Sequence, residues 1–568
     1  MTPQDDAYRR IVIAEADAAA GRVLRGSAPV TGLPAHRELM QRAKLLIAAT
    51  LTPGSAFAGD PDAIARAEGL VAELAGLQGP SGLFAGGDNV ESPPDSAFTV
   101  GDVADALALI RTTDDGRLAA LAAALDTIAR NAAPAMLTGG VHTPNHRWEI
   151  AGALARLHRV RPDDALRDRA EEWLAEGVDI QQDGMYSERS VNYAAYVSNP
   201  SLTAIADAFG RDDLRAIVAR NLESFIGLIR PDGTVETLHS RRQDQREEGF
   251  PLSPLLPLYR RYAVELNRGD LAWAADRALA QGVAEPHTAL AQLILEPHAG
   301  SALPTAAAPP ASRRDRWEQS GIVIDTTPRR TLVAYGGSDY GRMRRIRSGL
   351  ASNPTFLRLS SGEAVLSSAR LSRRFFGLGP FRADRIAETP DGLVLEERVE
   401  GRYYQPLSAR HRRHDGAYDL SDEGRFAAAM SFGERAEDAV TLHTRIEVVP
   451  TEAGADLTIA IDGPSVPWSL ELAFRPGGRF EGVVPSSDGA HDLRKGFGRY
   501  TVGEDAIEFG PGASDGPRGF YHPGEDYSQL GATDAAADPR VFLTGNAPGT
   551  ARVSLRCSGP RLSPRRER

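Results

Sequence analysis

The sequence predicts an α+β multidomain fold, with an N-terminal α/α toroid of helical hairpins followed by a C-terminal antiparallel β-sandwich. Three observations predict it: helical spacing of apolar residues over the first half, a loop-and-helix pattern that recurs there, and short β-rich runs beyond a Pro/Ala segment. We therefore expect a toroid domain over residues 1–300, a linker over 301–316 and a sandwich domain over 317–568.

Apolar residues in the first half are spaced as on one face of a helix. Leu70, Val71, Leu74 and Leu77 follow this spacing, and so do the apolar residues of 118–128 and 214–226. Each of these segments is therefore predicted to be an amphipathic helix.

Four glycine-bearing loops interrupt the helices, and each is followed by a new apolar helix. Their marker glycines, Gly82, Gly140, Gly184 and Gly233, lie 58, 44 and 49 residues apart, about one helical hairpin per period. Such a period is typical of a helical solenoid or a closed toroid. If every hairpin has the same hand, the loops emerge at one end and their side chains converge.

The residue composition and hydrophobic pattern change in the second half of the chain. The Pro/Ala run 302–312 suits no regular element. Runs rich in β-forming residues and separated by turn residues follow it, which predicts antiparallel sheets stacked as a sandwich. These runs are 321–325, 330–335, 392–396, 439–449 and 455–461. The basic run 560–568 at the C-terminus is predicted to be frayed.

Composition limits the class of protein. The 568 residues are 42% hydrophobic and 25% charged, as in a globular protein, and the net charge of −11 argues against a nucleic-acid partner. The single cysteine, Cys557, excludes an intrachain disulfide and a thiolate metal site. The N-terminus lacks the apolar core of a signal peptide, and no apolar run approaches the roughly 18 residues of a membrane span. We expect a cytoplasmic protein without a membrane partner, although a removed leader would leave the same sequence. A homodimer is left open.

The second loop carries Asn145, His146 and Glu149. His146 and Glu149 are three residues apart and should share one helix face, where the carboxylate could orient the imidazole. Asn145 adds an amide donor and acceptor. The alternative is an Asn side chain that caps the helix, beside a solvated His and Glu. A zinc site wants three or four ligands and none is evident nearby, so no metal and no cofactor are expected.

The first and third loops supply further polar groups. Tyr193 and Tyr196 follow the third loop, and Asn89 ends the first. A tyrosine with a pKa near 10 is a poor base at neutral pH but a ready proton donor. The alternative is aromatic packing with the hydroxyls at the surface.

The fourth loop is basic. His239, Arg241 and Arg242 lie on it, and arginine forks fit carboxylate or sulfate. The alternative is a salt-bridge cluster within the loop, with Asp244, Glu247 and Glu248 as partners. A second basic run, 339–347, opens the β-rich half and could contact an anion.

Two segments, 145–149 and 183–193, resemble the heparinase II/III-like polysaccharide lyases and their alginate lyase relatives. Their motifs are Asn-His-Arg-Trp-Glu and Asp-Gly-Met-Tyr-Ser-Glu-Arg-Ser-Val-Asn-Tyr. Those families combine an α/α toroid with an antiparallel β-sandwich, so the resemblance in layout covers nearly the whole chain. It implies β-elimination on a uronate-containing oligosaccharide or polysaccharide, with a 4,5-unsaturated product.

The resemblance also implies roles. Asn145 and His146 match the pair that neutralises the uronate carboxylate, Glu149 matches a nearby acidic site residue, and Tyr193 matches the catalytic tyrosine. Many of these lyases bring a histidine from the first β-strands, yet the comparable segment here, 347–356, has none. Tyr404, in a Tyr-Tyr pair of the β-rich half, is the candidate for that second proton-transfer role, because alginate lyase relatives use a tyrosine base from this domain.

Two other functions stay open on the sequence. A glycoside hydrolase on the same toroid needs two opposed carboxylates, ~5 to 9.5 Å apart, and its candidates are Asp88, Glu149, Asp183 and Glu188. The other function is a non-catalytic carbohydrate-binding or assembly protein, which the missing histidine leaves open.

Overall fold

The structure is a computed structural model that describes residues 4–86, 89–344, 346–425, 427–486, 489–513, 516–523 and 538–559. The hydrolase candidate Asp88 and the basic run 560–568 lie outside these residues. The chain divides into two compact units. The first unit is Met1–Val235 with Pro251–Pro309, and the second unit is Glu236–Phe250 with Pro310–Arg568.

Helices form the first unit, and one short helix, α14, belongs to the second. Their bounds are α1 (Asp6–Leu24), α2 (Ala35–Leu51), α3 (Pro61–Gly76), α4 (Pro93–Ile110), α5 (Ala119–Thr138), α6 (His146–Val160), α7 (Asp164–Leu174), α8 (Val191–Tyr193), α9 (Asn199–Phe209), α10 (Asp212–Ile226), α11 (Leu256–Leu266), α12 (Gly269–Leu279), α13 (Pro286–Leu295) and α14 (Tyr340–Met343). The predicted helical segments at 70–77, 118–128 and 214–226 fall on α3, α5 and α10 and are confirmed.

The helices of the first unit alternate between an inner and an outer ring. The inner ring packs in the order α2, α4, α6 and α9, and α13 packs back against α2. The hydroxyl groups of Thr203 on α9 and Tyr262 on α11 are hydrogen-bonded at 3.1 Å, which links α9 to the last third of the ring. The outer helices α1, α3, α5, α7, α10 and α12 alternate with these along the chain. The unit is therefore a closed α/α toroid whose inner helices all begin at one end.

Three of the four predicted loops contain the same tight turn. Gly82, Gly184 and Gly233 have φ angles of +84°, +84° and +85°, a left-handed conformation that favours glycine. In each turn an amide donates to a carbonyl four residues ahead, as Gln181 does to Met185 at 2.7 Å. Gly140 has no positive φ, so the second loop does not repeat this turn. The recurrence is thus a structural repeat in three of its four members.

Strands form most of the second unit. The strands of the chain are β1 (Thr234–Val235), β2 (Phe250–Pro251), β3 (Arg313–Trp317), β4 (Ile322–Thr327), β5 (Arg330–Tyr335), β6 (Leu357–Ser361), β7 (Ala364–Arg373), β8 (Arg385–Glu388), β9 (Leu393–Tyr404), β10 (Leu420–Asp422), β11 (Ala427–Ala429), β12 (Glu437–Thr451), β13 (Gly454–Asp462), β14 (Pro467–Phe474), β15 (Arg479–Glu481), β16 (Val484–Pro485), β17 (His491–Asp492), β18 (Gly496–Val502), β19 (Asp505–Gly512), β20 (Arg540–Asn546) and β21 (Gly549–Ser558). All five predicted runs fall on β4, β5, β9, β12 and β13.

Two large sheets make a sandwich in the second unit. One has the strand order β15-β18-β19-β21-β13-β12-β9-β8, and the other β16-β17-β20-β14-β7-β6-β5-β4-β3. Pairing is antiparallel throughout these two sheets except between β17 and β20. Alternate side chains of both sheets, among them Leu359, Leu371, Ile446 and Leu457, share one apolar core. The predicted class, an α/α toroid followed by an antiparallel β-sandwich, is confirmed.

The structure differs from the predicted layout in two places. Residues 236–250, assigned from sequence to the helical domain, belong to the second unit. Strand β3 begins at Arg313, inside the segment predicted as a linker, and it pairs with β4. Among the described residues, no helix is long and apolar enough to cross a membrane.

Candidate functional site

The second and third loops of the first unit lead into neighbouring inner helices. The second loop ends at Asn145, and α6 begins at His146. The third loop leads into α8, a π-helical turn at Ala194–Ser198, and α9. Helix α6 packs against that π-helical turn and α9, so the two loops lie side by side at one end of the ring.

Close packing fixes the distance between α6 and α9. A Cβ on Gly152 of α6 would stand only 2.8 Å from the Cβ of Ser201 on α9, so only glycine fits at this crossing. One turn earlier on α6, the Glu149 carboxylate accepts a hydrogen bond of 3.0 Å from the Ser201 hydroxyl. The two helices, and the loops that lead into them, are therefore held in register.

Asn145 is not the helix cap that its position suggests. It occupies the N-cap position with helical backbone angles, and its side chain makes no cap hydrogen bond. Instead its Oδ1 accepts a hydrogen bond of 2.8 Å from the Thr143 hydroxyl. The residue is 1% exposed, and its Nδ2 has no hydrogen-bond partner among the described residues. A buried donor without a partner costs roughly 1–3 kcal/mol, so an acceptor from a bound ligand would be favourable at this amide.

His146 and Glu149 are both buried, which overturns the alternative of a solvated pair. The His146 ring meets His142 edge to face, with 4.7 Å between centroids. Burial raises the pKa of Glu149 to about 7, against the lowering influence of Arg156, the Ser201 hydrogen bond and Arg37. Glu149 therefore changes charge near neutral pH.

Tyr193 is half-buried and is the last residue of α8, which begins at Val191. The Ser190 hydroxyl caps this helix by accepting a hydrogen bond of 3.1 Å from the Tyr193 amide. Arg189, just before the cap, has a φ of +52°, and for a residue with a Cβ this conformation stores about 1–3 kcal/mol of strain. Nothing in the sequence distinguishes Arg189, because only its backbone angle sets it apart.

Tyr196 follows one turn later, within the π-helical turn. Such turns interrupt the regular hydrogen bonding of a helix and are frequent at functional sites. The side chain is 39% exposed, and burial together with Glu285 raises its pKa to about 12. Tyr196 therefore keeps its proton at physiological pH and can donate a hydrogen bond.

The basic residues of the fourth loop belong to the second unit. Arg241 makes a two-pronged ion pair with Asp339, with Nε–Oδ2 and Nη2–Oδ1 distances of 2.8 and 2.7 Å. The alternative predicted from the sequence was a salt-bridge cluster with acidic partners within the loop. The observed partner, Asp339, instead lies in the second basic run, 339–347. His239 is fully buried, and the amide of Arg242 donates to the Ser240 hydroxyl at 3.0 Å. These contacts lie within the second unit.

Two further candidates contact carboxylates. The Tyr404 hydroxyl donates to Glu423 at 2.9 Å, and burial and this hydrogen bond raise its pKa above the usual value. A tyrosine that holds its proton so firmly is not favoured as a base. Asn89 is exposed in the first unit, and its amide donates to Asp95 at 2.9 Å. Neither Tyr404 nor Asn89 offers the unpaired donor that Asn145 does.

Within the described ranges, no group of three or more His, Cys, Asp or Glu side chains is arranged to hold a metal ion. No protein-family model matches the chain, and no curated protein does.

Solved structures of similar fold exist. A heparinase III with methylated lysines superposes with a TM-score of 0.53 at 10% identity, over 96% of this chain and 84% of that one. The chondroitin AC lyase of Streptomyces coelicolor A3, solved in complex with chondroitin sulphate, superposes with a TM-score of 0.53 at 15% identity, over 97% of this chain and 79% of that one. The chain therefore has a fold like that of heparinase III and chondroitin AC lyase, along almost its whole length.

Proposed function

We propose that this protein is a lyase that cleaves a uronate-containing oligosaccharide or polysaccharide by β-elimination, with a 4,5-unsaturated uronate as product. The proposal gives roles to Asn145, His146 and Tyr193, which all lie in the first unit. Glu149 lies in the same unit, about one turn beyond His146 on α6. The fold shared with heparinase III and chondroitin AC lyase supports the general class of reaction.

The observation that carries the proposal is the unpaired amide of Asn145. Its Nδ2 is buried, oriented by the Thr143 hydrogen bond, and without a partner among the described residues. A uronate carboxylate presents two acceptor oxygens and would satisfy this donor. His146, next in the chain, adds an imidazole at the same helix start.

The chemistry requires this kind of donor. A base removes the proton on C5, beside the carboxylate. The electrons of that C–H bond form the C4–C5 double bond, the C4–O bond breaks, and the departing oxygen takes a proton to become the hydroxyl of the leaving sugar. Negative charge develops on the carboxylate as C5 loses its proton, and donors already in place stabilise it without reorganisation.

Tyr193 is the proposed proton donor to the leaving oxygen. Tyr193 is half-buried, and a phenol hydroxyl can donate a hydrogen bond or a proton. If the same hydroxyl also reaches C5 as phenolate, it serves as base and then as acid, and the elimination proceeds on one face of the sugar.

A panel of uronate-containing polymers and oligomers tests the proposal. We expect an ultraviolet-absorbing product, from the new double bond conjugated to the carboxylate, on at least one member of the panel. New reducing ends without this absorbance would establish hydrolysis instead. Binding without either signal would establish a carbohydrate-binding protein. Both outcomes overturn the proposal.

A further inference from the structure

A cavity of about 220 Å³ runs along the axis of the toroid, inside the first unit. We refer to it as the axial cavity. All six inner helices contribute to its wall, with residues such as Lys44 (α2), Asp102 (α4), Glu149 (α6), Ser201 (α9), Leu258 (α11) and His287 (α13). Its volume is below the roughly 300–1,000 Å³ of sites for drug-sized ligands, so it suits one small ligand or one sugar unit.

The axial cavity begins directly below the proposed catalytic residues. Glu149 and Tyr196 line the cavity. Glu149 lies three residues beyond His146, and Tyr196 lies three residues beyond Tyr193. On a helix that separation is about one turn, roughly 5 Å along the axis. A sugar in the cavity would thus place its glycosidic bond at the level of the two loops.

Most cations of the cavity wall are paired with carboxylates. Lys44 contacts Asp102, Arg159 pairs with Asp105 at 2.7 Å, and Arg261 pairs with Asp207 at 2.6 Å. These pairs lie from the middle of the inner helices toward their C-terminal ends. The two opposite charges of each pair neutralise each other, so these pairs offer little net charge to a ligand.

Arg37 is the exception among the described residues. Its guanidinium lies over the Phe98 ring, 3.8 Å from the centroid, and it makes no ion pair with a described carboxylate. Its Nε is buried without a hydrogen-bond partner. An arginine offers five N–H donors in a planar fork that matches a carboxylate, and stacking on an aromatic face leaves that edge open. Arg37 therefore places in the cavity wall a positive charge that forms no ion pair with a described carboxylate.

Glu149 and Glu285, which line the cavity, interact electrostatically with Arg37, and so do Asp102 and Asp95. Burial raises the pKa of Glu149 to about 7 and that of Glu285 to about 7, so near neutral pH much of each population is the neutral acid. A protonated carboxyl donates one hydrogen bond and adds no repulsion toward an anion. His287, 3.4 Å from Glu285, stays neutral because burial and Lys44 hold its pKa well below the usual value.

From this arrangement we infer that the axial cavity is a subsite for the carboxylate of one terminal uronate residue, with Arg37 as its principal ligand. The inference rests on the proposed function for its substrate class. Because six helices enclose the cavity around its axis, a glycan can enter only by its end. Cleavage is then exolytic, and it releases short products from chain ends.

Direct binding of free glucuronate, measured by titration calorimetry on the full chain, tests the subsite. We expect glucuronate to bind and uncharged glucose not to bind. Arg37→Gln should weaken glucuronate binding at least about tenfold, the usual scale for losing a charge-assisted fork. Arg42→Gln, on the same helix but outside the cavity, is the matched control and should bind as the wild type does. Equal binding by Arg37→Gln, or equal binding of glucose, overturns the inference.

A second variant keeps the test decisive if Arg37→Gln does not fold. Glu285 faces Arg37, Lys44, Asp102, Tyr196 and His287, and ionisation of Glu285 at high pH places a competing negative charge beside Arg37. Wild-type binding should therefore weaken between pH 6 and pH 8. Glu285→Gln, which stays neutral, should bind more tightly than the wild type at pH 8. Unchanged binding at pH 8 contradicts the subsite.

The product pattern separates this inference from the proposed function. Unsaturated products of mixed length from the first minutes of reaction would leave the lyase in place and remove the exolytic subsite. Glucuronate binding that depends on Arg37, without unsaturated product on any substrate, would leave the subsite in place and remove the lyase.

Discussion

The Ser201 hydroxyl donates a hydrogen bond of 3.0 Å to the Glu149 carboxylate, and this contact joins α9 to α6 one turn below His146. Both side chains are buried, at 1% and 4% exposure. A carboxyl in such surroundings is costly to ionise, because a single hydroxyl and distant arginines replace the water it loses. The contact therefore couples the protonation of Glu149 to the packing of the two helices that carry the candidate site.

Stability should fall as the pH rises through neutrality. The folded-state pKa of Glu149, about 7, exceeds its ordinary value of 4.5, so the stabilisation is complete below about pH 4.5 and is lost as the pH passes 7. The loss is at most about 3.5 kcal/mol, at about 1.4 kcal/mol per pKa unit. Denaturant unfolding followed by helical circular dichroism at pH 5, 6, 7 and 8 measures it. Glu149→Gln should reduce this slope, whereas Glu15→Gln at an exposed position should leave it unchanged. An equal slope in all three proteins contradicts the assignment.

Tyr193→Phe should lower kcat by about 10²- to 10⁴-fold, the usual contribution of a positioned proton donor. KM should change little, since the phenyl ring keeps the packing of the side chain. Initial rates of unsaturated product formation, on whichever substrate the panel identifies, give both constants. A kcat within twofold of the wild-type value would remove Tyr193 from the mechanism.

Asn145→Ala should lower kcat by about 10²- to 10³-fold, as loss of one preorganised donor to a developing anion does. Thr143→Val should have a smaller effect in the same direction, because Thr143 acts only by orienting the Asn145 amide. The two losses should not add in the double variant, since Thr143 has nothing to orient once the amide is gone. Additive losses would mean that Thr143 acts independently of Asn145.

Gly184→Ala should destabilise the protein by about 2–4 kcal/mol. Its φ of +84° disfavours any Cβ, and a Cβ would also stand 2.7 Å from that of Ser224. Gly177 is the matched control, because its φ is +79° and no atom lies within 4 Å of a Cβ built there. Gly177→Ala should therefore cost only about 1 kcal/mol. Equal losses of stability in the two variants would show that close packing around Gly184 does not contribute to the cost of the substitution.

The ion pair of Arg241 and Asp339 should show a measurable coupling in the second unit. Both side chains are largely buried, at 17% and 7% exposure, and the fork makes two hydrogen bonds. A double-mutant cycle with alanine at each position should give about 1–3 kcal/mol. The exposed pair of Arg398 and Glu400, 3.3 Å apart, is the control and should give less than about 1 kcal/mol. Similar values for both pairs would contradict the structural role of the fork.

The local pattern of the chain was enough to predict the class of fold. Periodic apolar residues identify α3, α5 and α10, because one buried face of a helix repeats every three to four residues. The glycines at 82, 184 and 233 identify turns, because a positive φ excludes most side chains. The order of these signals along the chain distinguishes a helical ring from a sandwich.

The sequence by itself determined the class of fold and most of the candidate residues, and only the tertiary structure decided what each one contacts. Asn145 looks like a helix cap in sequence, yet in the fold its Oδ1 accepts from Thr143 and its Nδ2 has no hydrogen-bond partner among the described residues. Arg37 was not identified from the sequence, and its importance comes from helices farther along the chain that line the same cavity. Arg241 reads as a ligand for anions, but the fold supplies Asp339, 98 residues later, as its partner. Burial and pairing depend on residues distant in sequence, and these two properties decide whether a polar side chain is available for a substrate.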